Sequence, residues 1–235
     1  MSEDNKNEDA TEEVAQGGRT PGEAKLPIMN ILGSDGTLRL VVPEGTEGAK
    51  FREYEYKDSK SGETVKGSKW ELIFKSLSGK ITNIQQYDGD YGMNLMVTLT
   101  YDGGEDTISI GTATPFGEDF MKKLPNIKLE EFVTFSPFAF TDDNGKMRKG
   151  ISITQGDEKI KNFFYDAEKK KNLNKYPNPD GKVDEYTKDD WKIYFMQARK
   201  FLIKYTEENF LPLYAHLTRV KDEPAAEKVE GDEGF

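Results

Sequence analysis

Between residues 70 and 155, apolar and polar residues alternate with a period of two in a series of short runs. Each run is closed by turn-forming residues, and this restricts the chain to a mainly β fold. Met93, Leu95, Val97, Leu99 and Tyr101 fall on one face of the clearest run. GKITNI comes before it, ahead of the loop sequence QQYDGDYG, and after the turn DGGED the pattern continues through Ile108 and Ile110. TPFGEDFMKKL, with Thr114 and Pro115 at its head, carries the start signal of a short helix. Two more runs follow, LEEFVTFSPFAF and MRKGISITQG, joined by TDDNGK with its Asn-Gly pair. Upstream, Tyr54 and Tyr56 alternate with acids and lead through the turn-prone KDSKSGETVKGS to Trp70, Leu72 and Phe74, as the two arms of a hairpin would.

Three strands, a short helix and two further strands is the order of a five-stranded OB-type barrel. In such a barrel strands 2 and 3, with the loops after strands 1 and 4, bind oligonucleotides. The expected fold is therefore mainly β: this barrel with its helix between strands 3 and 4, a C-terminal amphipathic helix, and disordered termini. An SH3-like barrel or an irregular sandwich uses the same ingredients. Thr187, with Asp190 three residues on, predicts the start of the C-terminal helix. Trp191, Tyr194, Phe195, Ala198, Leu202 and Tyr205 recur at helical spacing before Pro212, a stripe expected to pack on the barrel as core. Residues 1–36 read as a disordered acidic arm, 37–220 as the OB-type domain with its helix, and 221–235 as a disordered acidic tail. A strand is expected from Thr37 to Val42.

The formal net charge of −10 is concentrated at the ends. Residues 1–24 hold seven acids and two bases and residues 221–235 six acids and two bases, which leaves −1 for residues 25–220. Neither end has the apolar surface to offset the entropy of ordering. The nearly neutral body is compatible with a basic groove on one face. Without cysteine the chain has no disulfide, thiolate metal site or cysteine nucleophile, and a reducing compartment suits it. No secretory signal or membrane-spanning run is legible, so a cytoplasmic location and no membrane partner are expected.

Chemistry is thinly supplied. His216 is the single histidine and no nucleophile-elbow sequence accompanies it; Walker, HExxH and GxGxxG patterns are absent. Asp88 and Asp90, and Asp142 and Asp143, sit in turn sequences that lack the closing Glu of a calcium loop. No enzymatic activity, cofactor or metal is expected. Binding a single strand needs aromatic faces for stacking and cations along the phosphates. Tyr87 and Tyr91 flank DGD in the predicted loop after strand 1, and Lys146, Arg148 and Lys149 follow the predicted loop after strand 4. Lys50, Phe51, Arg52, Tyr54 and Tyr56 interleave aromatic and basic residues, with Lys66, Lys69, Lys75 and Lys80 behind them.

The last residues, VKDEPAAEKVEGDEGF, set Phe235 beside Asp232 and Glu233, a compact bait whose ring suits an apolar pocket rimmed by cations. This stretch resembles the tail of bacterial and bacteriophage single-stranded DNA-binding proteins, although GDEGF lacks the Ile-Pro of the bacterial version. GKITNI, SPFAF and KGISITQ look phage-like. The resemblance implies sequence-independent binding of single-stranded DNA in replication, recombination and repair, in the host cytoplasm if phage-encoded. It also implies a tail that recruits replication or recombination proteins and competes with DNA for the groove; a homo-oligomer is compatible with it. The alternative is a protein-interaction or structural module without nucleic-acid binding.

Overall fold

A computed structural model describes residues 28–58, 61–89 and 92–214. The strands in chain order begin with β1 (Ile28–Ile31), β2 (Leu38–Val42), β3 (Lys50–Lys57) and β4 (Thr64–Phe74). They continue with β5 (Leu77–Gly89), β6 (Gly92–Tyr101) and β7 (Gly104–Gly111), then helix α1 (Pro115–Lys123). After α1 come β8 (Phe132–Thr141), β9 (Met147–Gln155), the short β10 (Glu158–Lys159), β11 (Tyr165–Asp166) and β12 (Lys171–Asn172), and finally helix α2 (Lys188–Asn209).

All but β11 and β12 join one mixed sheet in the order β10-β9-β8-β5-β6-β7-β1-β2-β4-β3. Alternation decides its inner face: Leu95, Val97 and Leu99 of β6, Ile108 and Ile110 of β7, Val133 and Phe135 of β8, and Ile151 and Ile153 of β9 are all buried. Ile81 and Ile84 are three apart, yet both point inward because a register shift between Ile81 and Asn83 inserts one extra residue. Helix α1 closes one end of the core with Phe116, Phe120 and Met121. Thr114 caps it by accepting from the Gly117 amide, as its sequence predicts.

Three expectations are corrected. The sheet is not a closed barrel, because β1 lies in parallel on the free edge of β7 and leaves no edge there for β9. Residues 28–36 are not part of a disordered arm: 28–31 form β1, and the turn to β2 brings Gly36 onto the backbone of Phe138 in β8. QQYDG is not loop but the second half of β5, paired with β6 as far as Gly89 and Gly92. The strand expected at Thr37–Val42 is β2, and the Tyr54-to-Phe74 hairpin is β3 and β4.

Helix α2 starts with the predicted capping box, Thr187 accepting from the Asp190 amide and Asp190 accepting from the Thr187 amide. Its second half is anchored by buried Ala198, Leu202 and Thr206 and by Arg199, whose guanidinium reaches Glu118 of α1 at 2.7 Å. Buried Phe164 locks it further through edge contacts with Phe201 and Tyr205. The expected apolar stripe is core at Ala198 and Leu202 but not at Phe195, which is exposed together with Ile193 and Met196. Thr187→Ala is expected to lower stability by about 1 kcal/mol, read as a small fall in the urea midpoint with the sheet unchanged.

Candidate nucleic-acid interface

The register carries one outward face across the sheet. Tyr87 of β5 lies opposite Asn94, Met96 opposite Ser109, Ser109 beside Asn30, and Asn30 opposite Arg39. Farther along, Val41 lies opposite Glu71, Glu71 opposite Lys50, Lys69 opposite Arg52 and Gly67 opposite Tyr54. Cross-strand partners point to the same side, so Lys50, Arg52, Tyr54 and Tyr56 share this face with Tyr87. Six strand-to-strand steps separate β3 from β5, about 30 Å of curved sheet at ~4.8 Å per step. On the other side of β5, Lys80 pairs with Phe132 of β8 and places its ammonium 5.8 Å from the ring centre.

At the β3–β4 end the face is built around a hidden carboxylate. The Glu71 side chain is 1% exposed and accepts from Arg52 through Nε at 2.7 Å and Nη2 at 2.9 Å. Lys69 Nζ lies 3.0 Å away, and Arg39 Nη1 3.4 Å away. The Arg52 hydrogen bonds, reinforced by Lys69, hold the Glu71 carboxyl at about 2, against its own burial. Solvent therefore meets the cations and not the acid. The Tyr54 ring rests on Gly67, where a β-carbon would come 2.6 Å from the ring, and lies 5.3 Å from Lys69 Nζ and 5.7 Å from Arg52 Cζ. Tyr56 lies beside it, near-parallel, at 6.2 Å.

No family model, curated protein or solved structure matches this chain.

The sequence-predicted residues divide. Lys50, Arg52, Tyr54 and Tyr56 come together on one face, and Tyr87, 61% exposed, and Lys80 stand on the same face at its far side. Phe51 does not join them: successive strand residues point to opposite sides, and its ring packs on Trp70 at 5.4 Å. Lys149 likewise alternates away from Arg148, lying opposite Ala139 on the inward-facing set with its ammonium near Gly33. Arg148 is tied to Asp142 at 2.8 Å, and Lys146 is exposed in the same turn. Asp142 sits below the ordinary carboxylate range because the Lys146 amide, then Arg148, donate to it, so this aspartate is turn chemistry. Tyr91, Asp90, His216, Asp232, Glu233 and Phe235 lie outside the described residues.

Sequence reasoning missed Arg39, Glu71 and Phe132. Phe132, half exposed, could have been found from LEEFVTF, where alternation places it opposite in sense to Val133 and Phe135. Among the described residues no group of three or more acids or histidines could hold a metal ion, and no helix is long and apolar enough to cross a membrane.

Acid should reveal the Glu71 cluster. Its folded carboxyl titrates at about 2 against 4.5 unperturbed, so the stability it supplies is complete above about 4.5 and is lost as pH falls toward 2. The stability gap between the wild type and Glu71→Gln is expected to be about 3 kcal/mol at pH 6 and to shrink by more than half at pH 3. Urea unfolding at the two pH values measures it.

Proposed function

We propose that this protein binds single-stranded DNA without sequence preference, in replication, recombination or repair, and that it is of phage type and not an enzyme. The observation that carries the reading is the juxtaposition of half-buried Arg52, Lys69 and Tyr54 with the exposed ring of Tyr56 on the outward face of the sheet. Cations beside stacking rings are what a flexible polyanion with flat bases requires. Tyr87 and the Lys80–Phe132 pair extend the same chemistry across the face.

The segment β5 to β9 supports an OB-type reading. Its strands run β7-β6-β5-β8-β9 in space, with α1 between the third and fourth in sequence. In that reading β1 and β2 fill the seam where a minimal barrel would close, and β3 and β4 add a second stacking surface beyond it. The acidic tail with Asp232, Glu233 and Phe235 would serve replication or recombination proteins and compete with DNA for the cations.

Fluorescence anisotropy of labelled oligo-dT across a salt series tests this, with the full chain and with a version truncated after Val220. Binding that weakens steeply with salt, by about tenfold or more between 50 and 200 mM, and tightens on truncation is the expected result. No binding by either at low salt would sink the DNA reading and leave a protein-interaction module in its place.

A further inference from the structure

We propose that Glu71 is a positioning residue which locks Arg52 and Lys69 around Tyr54 into a subsite for one nucleotide, the base on the ring and the phosphate on the two cations. This rests on the single-strand reading and names a residue that charge counting would reject, since an acid in a polyanion site is ordinarily a liability.

The geometry carries it. Arg52 grips Glu71 with two donors, Nε and Nη2, the fork arrangement that fixes a guanidinium plane. Its Nη1 makes no hydrogen bond among the described residues and remains for an oxygen of the ligand. Lys69 spends one donor on Glu71 and retains two. Side-chain exposure is 27% for Arg52 and 30% for Lys69, so both cations reach solvent above a carboxylate that does not. Without the acid between them, Arg52 and Lys69 face each other across β3 and β4 as like charges, which repel on a directly opposed pair. Gly67 completes the arrangement: lacking a side chain opposite Tyr54, it lets the half-buried ring lie against the strand with the two cations beside it, and a base would stack on the part of the ring that reaches solvent. Arg39 is held by Asp35 at 2.6 Å as well as by Glu71, which makes it the fixed back wall of the cluster and not a ligand group.

The test compares oligo-dT binding by the wild type, Glu71→Gln and Arg52→Lys in the same salt series. If Glu71 positions the cations, Glu71→Gln binds about tenfold more weakly even though it removes a negative charge. Arg52→Lys keeps the charge but loses the fork, and is expected to weaken binding about fivefold with the salt slope nearly unchanged. The lysine variant keeps the proposal falsifiable should Glu71→Gln fail to fold. Tighter binding by Glu71→Gln, or wild-type affinity in Arg52→Lys, would show that charge alone matters and would overturn the proposal while leaving single-strand binding intact. Absence of wild-type binding would remove both.

Discussion

The Tyr54→Ala, Tyr56→Ala double variant is expected to bind oligo-dT about 100-fold more weakly than the wild type, because each base stacked on an aromatic ring contributes ~1–3 kcal/mol. The two rings lie near-parallel on the outward face of an edge hairpin, and Tyr56 is 40% exposed, so their loss removes little core. Phe51 supplies the internal control. It belongs to the same strand and the same basic stretch of sequence, but it is turned to the other side against Trp70. Phe51→Ala is expected to change affinity by less than about twofold, since it removes no ring from the binding face. Anisotropy titrations at one fixed salt concentration decide between the faces. Equal losses in the two variants would mean that the stacking surface is not the one described.

Gly36→Ala should destabilise the protein by about 3 kcal/mol. Gly36 has φ +71, a left-handed conformation that costs an L-residue ~1–3 kcal/mol. An added β-carbon would also run into the backbone of Phe138 and Ala139 in β8, which no rotamer change can move aside. Gly45 separates the two effects: its φ is +84, but nothing lies within 4 Å of the added carbon. Gly45→Ala is expected to lower stability by only about 1 kcal/mol, so the difference in urea midpoints measures the seat of the β1–β2 turn on β8. Equal midpoints would show that the curled sheet does not depend on that contact.

Alternation made most of the inner face legible in the sequence. Leu95, Val97, Leu99, Ile108 and Ile110 are where a period of two puts them, and Thr114 and Thr187 begin their helices as capping chemistry dictates. What escaped was non-local. β1 is four residues long and its parallel partner on β7 is nearly eighty residues away, so no local pattern announces that IMNI takes the edge a barrel would have used. QQYDG carries turn-forming residues, yet the opposing ladder of β6 keeps it extended to Gly89. At the site, Tyr54 and Tyr56 could be grouped by spacing alone. Their separation from Phe51 follows from the pleat once the strand is certain. Glu71 had no such signal: a carboxylate between Trp70 and Leu72 reads as a solvent-facing strand residue until Arg39 of β2, Arg52 of β3 and Lys69 of β4 are folded onto it.

The short parallel ladder between β1 and β7 has a consequence for the order in which the molecule assembles as it is synthesised. β2, β3 and β4 span residues 38–74 and pair only with one another and with β1, so this part of the sheet has its partners as soon as Phe74 has emerged. Its link to the rest of the sheet has to wait for Thr107 to Ser109, the three residues that meet Ile28 to Asn30. A contact of such high sequence separation forms late. The growing chain therefore carries a finished aromatic hairpin before it has a body to hold it, and the edge that β1 offers stays open until β7 arrives.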